Sequence, residues 1–159
     1  QNMTRIYSEA DVTVIVAAGD DPTYGLPGVF TCSRRTQKQV RLSGITLIQV
    51  ICNLHRTIEK STWSKRAWTY QEVALSKRKL IFADSQAAFP CETDSCEETC
   101  ARMPRRLPFS GTLCPSTNLQ GTNEASILDV YMSRLLTYDS DALNACSGIL
   151  NSLENKNHT

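Results

Sequence analysis

The chain has little with which to hold a metal. Its two histidines, His55 and His158, are far in sequence from the cluster Cys91, Cys96 and Cys100, and no C-x-x-C pair occurs. Zinc sites use closely spaced Cys and His ligands, so no metal site is expected. The seven cysteines are odd in number and cannot all pair within the chain. Cys32, Cys52 and Cys146 read as small hydrophobes, and Cys91, Cys96 and Cys100 as reduced thiols in a loop; a secreted disulfide protein stays open as the alternative. Charge bias is missing too. Seventeen Lys and Arg against sixteen Asp and Glu leave a net charge of +1, which makes no case for nucleic acid or a membrane as partner. No apolar run approaches the ~20 residues of a membrane helix, and the N-terminus lacks the basic-then-apolar form of a secretory signal. A cytoplasmic location is expected. There is no internal repeat and no low-complexity tract.

What is present is enough apolar material for one domain with a core: 159 residues, 41% hydrophobic. Both tryptophans fall in Ser61–Phe82, STWSKRAWTYQEVALSKRKLIF, which reads as a helix over Ser61–Ser76 followed by a strand. Ser61 suits the N-cap. Trp63, Ala67, Tyr70 and Ala74 recur at helical spacing, with Trp68, Glu72 and Leu75 on the adjacent stripe. Lys77, Arg78 and Lys79 suit the C-terminus, where the dipole favours cations. Glu72, one turn after Trp68, cannot point cleanly away from the apolar face. It is paired with Lys65, Arg66 or Lys79, plainly exposed at the edge of the face, or poised for chemistry, because an unpaired buried carboxylate is costly.

Val12–Ala17 is a continuous β-branched run, expected to be a strand buried on both faces. It should lie parallel to Lys79–Phe82, with the Ser61–Ser76 helix as the crossover. Gly19–Gly28, GDDPTYGLPG, is rich in breakers and must be a loop, either a solvated turn with two acids or, from its place after a strand, a segment where α/β proteins put ligand contacts. Gln39–Ser43 alternates as a half-buried strand; Ile45–Ile51 suits a second strand or a helix start, and Asn53–Lys60 a helix. Lys79–Phe82 and Gln86–Cys91 flank Ala83-Asp84-Ser85 as a hairpin. Glu92–Asn123 has the Pro, Gly, Ser and Thr content of a loop. Helices are expected over Glu124–Tyr138 and Asp139–Leu153, packed as a pair. The domain reading is 1–91, a loop-rich linker over 92–123, and a helical pair over 124–159.

The pattern S-x-W-x-x-R-A-W-T-x-Q-E, formed by Ser61, Trp63, Arg66, Ala67, Trp68, Thr69, Gln71 and Glu72, resembles the signature of fungal heterokaryon incompatibility (HET) domains. Ile6–Gly28, LSKRKLIF with QAAFPC, and Tyr131–Leu150 resemble blocks of the same family in the same order. The family in turn looks remotely similar to TIR domains. The resemblance implies an α/β fold with a TIR-like parallel sheet, here incomplete, because the family's N-terminal half is absent from this sequence. It also implies a role in nonself recognition and cell death, with NAD as a substrate and no cofactor. Glu72 matches the carboxylate of TIR-type enzymes that cleave the bond between ribose and nicotinamide. A fixed carboxylate there would stabilise the positive charge developing on the ribose. Ser61, Trp63, Arg66, Trp68 and Gln71 are then the pocket or supporting residues, with Trp68 as the wall against Glu72. The alternative is a non-catalytic module that engages a protein partner or a second copy through the same lobe, or an inactive fragment. With half the domain missing, activity of this chain by itself is not expected.

Overall fold

A computed structural model describes residues 3–51, 53–91, 95–98 and 124–157. Its main sheet is seeded by two short apolar runs. Strand β1 (Thr13–Val16) pairs in parallel with β4 (Lys79–Phe82), in register from Thr13↔Lys79 to Val16↔Phe82. The pairing runs one residue further at each end, through Thr13 N to Arg78 O at 2.9 Å and Ala17 N to Phe82 O at 2.8 Å. The parallel arrangement is the one expected from two apolar strands around a helical crossover. Strand β5 (Ala87–Pro90) then returns antiparallel to β4 across the 83–85 turn, which Ala83 N closes on Gln86 O at 3.0 Å.

Strand β6 (Ser95–Glu97) completes the order β1-β4-β5-β6. A strand here corrects the reading of 92–123 as loop throughout; the remainder of that stretch lies outside the described residues. Phe89↔Cys96 and its neighbours pair, and Glu98 extends the ladder. Its amide donates to Ala87 O and its carboxylate accepts from Ala87 N, each at 3.0 Å. The resulting sheet is mixed, parallel only between β1 and β4.

Burial on both faces of β1 is also corrected. Thr13 and Ile15 are buried, whereas Val14 is 50% exposed, and Val12 and Val16 are exposed as well. Successive side chains of a strand point to opposite faces, and among the described residues helices cover just one. There Ile15 and Ile81 meet Leu54 and Ile58 of α2 (Leu54–Lys60) and Val73 of α4 (Trp68–Leu75). The strands β2 (Gln39–Leu42) and β3 (Ile45–Ile48) form a separate hairpin, and every residue of both is exposed. Gln39–Ser43 is therefore not half-buried: no layer among the described residues packs on it.

The helix expected over Ser61–Ser76 is broken in two. Ser61 caps α3 (Thr62–Lys65), its hydroxyl accepting from Ser64 N at 3.2 Å as anticipated. Arg66 then turns extended, at φ −82° and ψ 134°, before α4 begins. The cause is distant in sequence. Leu135 donates its amide to Lys65 O at 2.6 Å and accepts from Ala67 N at 2.9 Å, a parallel bridge centred on Arg66. A continuous helix would use those same groups internally. Beyond α4, the buried Lys79 donates Nζ to Ser76 O at 2.8 Å, so this cation does serve the helix C-terminus.

Helix α5 (Glu124–Met132) ends six residues short of Tyr138, and α6 (Ala142–Asn157) follows a 3₁₀ turn at Asp139–Asp141. Their apolar faces meet on α4. Ile127 and Tyr131, Ala145, Cys146 and Ile149 gather around Ala67 and Tyr70 in a second core, with Trp68 packed against it. Helix α1 (Met3–Glu9) lies against both α4 and α6. Gly148 permits the close approach. A Cβ there would stand 2.5 Å from Thr4 Oγ1, 2.6 Å from Gln71 Oε1 and 3.0 Å from Leu75 Cδ1.

Candidate functional site

Beyond the C-terminal ends of β1 and β4 the chain opens into a cleft of about 770 Å³. In open α/β sheets this end collects ligands, because the loops leaving parallel strands converge there. Ala17, Gly19, Asp20 and Tyr24 come from the segment after β1, Asp84 from the turn after β4, and Arg56, Thr57, Lys60 and Ser61 from α2 and its C-cap. Arg34 and Arg35 line the remaining side. Helical geometry puts Arg56 and Lys60, four residues apart, on one face.

The cleft brings four cations together with two carboxylates, and hydrogen bonds hold both acids in place. Thr62 Oγ1 donates to Asp20 at 2.9 Å, and Tyr24 Oη to Asp84 at 3.1 Å. The Asp84 carboxylate accepting that bond raises the Tyr24 phenol above its ordinary range. Gly19 has φ +69°, and a Cβ on it would collide with the Tyr24 ring, so this glycine seats the tyrosine at the rim. Arg34 forms an ion pair with Glu98 and donates to Pro27 O at 3.2 Å, tying the loop to the end of β6. Such a lining offers guanidinium and ammonium donors to an anion and carboxylate acceptors to neighbouring hydroxyls.

Residues 1–72 match the heterokaryon incompatibility protein (HET) family model. This part of the chain is similar to a HET domain. No curated protein and no solved structure matches the chain. The match supports a role related to heterokaryon incompatibility. The matched residues span α1, β1, the 19–28 loop, the β2–β3 hairpin, α2 and α3, and the match ends at Glu72 within α4. It thus supplies every cleft residue except Asp84.

The six residues singled out from the motif are not brought together at one site. Ser61 lines the cleft. Glu72 does not; its surroundings are Trp63, Arg66 and Tyr7. Burial pushes its carboxyl above the ordinary range, partly offset by the Trp63 indole N–H and then by Arg66. Trp63 Nε1 is itself buried without a hydrogen bond of good geometry, so its interaction with Glu72 is a loose one. Tyr7 is raised first by burial and second by the Glu72 charge. Trp63 thus stands near Glu72 and also packs on the first core, while Trp68, one helical turn before Glu72 in α4, packs against the second. Arg66 is exposed at the α3–α4 break. Gln71 donates Nε2 to Asn144 O at 2.7 Å and docks α6 on α4.

Arg34, Arg35, Arg56, Lys60, Asp20, Tyr24 and Asp84 were not picked out as site residues in the sequence. Part of the signal was there. The 19–28 loop directly follows a strand, and Asp84 holds the equivalent place after β4. The four-residue spacing of Arg56 and Lys60 on a short helix was a further cue. The Arg34–Arg35 pair gave none until the chain path was known.

Proposed function

We propose that the HET region is a signalling module of fungal heterokaryon incompatibility whose cleft takes a nucleotide of the NAD class. The observation that carries this reading is the cleft's division of charge. Arg34, Arg35, Arg56 and Lys60 suit the oxygens of a pyrophosphate, and Asp20 and Asp84 suit ribose hydroxyls. The place, beyond the ends of parallel strands, agrees with it. The test is calorimetric titration of the full chain with NAD and with ADP-ribose. Replacing both Arg56 and Lys60 by alanine is expected to weaken binding by at least about tenfold, since one charge-assisted hydrogen bond contributes roughly 1.5–3 kcal/mol. Unchanged affinity, or none in the wild type, removes the reading.

A second reading, a TIR-like NAD glycohydrolase, draws support from Glu72, a carboxyl kept partly out of water. Because Glu72 does not line the cleft, the two readings separate experimentally. Nicotinamide release that falls at least about 10²-fold in Glu72→Gln, the loss expected of a missing electrostatic contact, with cleft affinity intact favours catalysis by Glu72. Release that falls instead in Asp84→Asn places the chemistry in the cleft.

A further inference from the structure

Net charge conceals an asymmetry. From Pro22 to Ile58 the chain has no acidic residue, while it carries Arg34, Arg35, Lys38, Arg41 and Arg56. The β2–β3 hairpin stands in the middle of that stretch. Its pairs Val40↔Leu47 and Leu42↔Ile45 set four aliphatic side chains on one face, because alternate residues share a face. Each of the four is more than half exposed, and Val50, two residues beyond β3, is almost wholly so. Ser43 and Gly44, with φ of 47° and 83°, make the tight two-residue turn that fixes the ribbon's tip.

We propose that this hairpin is a peripheral docking element for an anionic lipid surface. The aliphatic face would enter the interface between headgroups and acyl chains while Lys38, which shares that face, meets lipid phosphates. Arg41, on the opposite face, adds its charge to the attraction toward the anionic surface. Charge decides among occupants. A second copy set on this face would bring like charges together. A protein partner's anchor would need a pocket or aromatic contacts, and this face is an aliphatic ribbon with no aromatic residue in either strand. A bilayer needs neither. The proposal is independent of the nucleotide reading, since Leu42, Ile45, Lys38 and Arg41 lie outside the cleft lining.

The experiment is co-sedimentation of the full chain with vesicles of phosphatidylcholine alone and of phosphatidylcholine with phosphatidylserine, at low and high salt. Binding is expected only to the anionic vesicles and is expected to weaken with salt. Leu42→Ser/Ile45→Ser and Lys38→Glu/Arg41→Glu should each lower the partition coefficient by about tenfold or more. Both pairs are exposed, so thermal melts should match the wild type. Absence of sedimentation, equal binding to neutral vesicles, or binding indifferent to both variants overturns the proposal. So does a concentration-dependent dimer that Leu42→Ser/Ile45→Ser abolishes, which would assign the face to a second copy.

Discussion

Gly148→Ala puts the docking of α6 to a test in which two effects oppose one another. Gly148 lies within a 16-residue helix, where alanine is favoured over glycine by about 1 kcal/mol. On an unpacked helix the substitution would therefore stabilise. Here the new methyl meets Thr4 Oγ1 at 2.5 Å and Gln71 Oε1 at 2.6 Å, and real side chains do not sit that close. Thr4 can rotate away. Gln71 moves less cheaply, because its Nε2 is bound to Asn144 O at 2.7 Å; a displaced amide would lose a hydrogen bond contributing about 0.5–1.5 kcal/mol. Overpacking itself costs about 1–3 kcal/mol. The propensity gain is outweighed, and a net destabilisation of about 1–2 kcal/mol is expected, lowering Tm by roughly 2–8 °C at this chain length. Equilibrium denaturation of Gly148→Ala, Gln71→Ala and the double variant closes a cycle. The double variant should be more stable than the sum of the single effects, since shortening Gln71 relieves one of the close contacts. If Gly148→Ala is more stable than the wild type by the full propensity gain, α6 does not dock on α4 at this point and the second core is wrongly drawn.

Glu72 should give a pH signature. Its carboxyl holds a proton more tightly in the folded chain than in the unfolded one, so the stability this contributes is complete below the ordinary glutamate range and is lost as pH rises through the folded value. Thermal melts of wild type and Glu72→Gln at acid and neutral pH should show the variant gaining relative stability as pH rises; a relative loss would mean that the Trp63 indole N–H and Arg66 together outweigh burial. Ser61→Ala removes the side-chain acceptor for Ser64 N and is expected to cost ~1 kcal/mol, typical of a lost N-cap. A melt indistinguishable from the wild type would show that the cap contributes nothing there.

The parallel pair and its crossover were legible in the sequence because two apolar runs flanked an amphipathic stretch with a cap at its start. Ser61 signalled that cap locally, and Ala83-Asp84-Ser85 signalled a turn in the same way. Arg66 gave no comparable warning. Its break depends on Leu135, and nothing in residues 61–76 records a hydrogen-bond partner nearly seventy positions away. The valines of β1 misled for a different reason: a β-branched run promises a strand but does not say how many of its faces are covered. The cleft was half legible. Its loop and the place of that loop after β1 were visible, whereas the convergence of Arg34, Arg35, Arg56 and Asp84 is a product of chain path.

The bridge at Arg66 also fixes an order of events. Until Leu135 arrives, Lys65 O and Ala67 N lack the partners that hold Arg66 extended, and the α3–α4 segment is at liberty to run on as one longer helix. On a ribosome, with the chain emerging at roughly 5–20 residues per second, that interval lasts several seconds. Before the segment after α5 arrives, nothing in that bridge holds Arg66 extended, and the bend is expected only once Leu135 docks. Closing so distant a contact makes this a late step. Substitutions that strengthen helix formation across Lys65–Ala67 should slow the acquisition of the second core while leaving the parallel strand pair to form at its own pace.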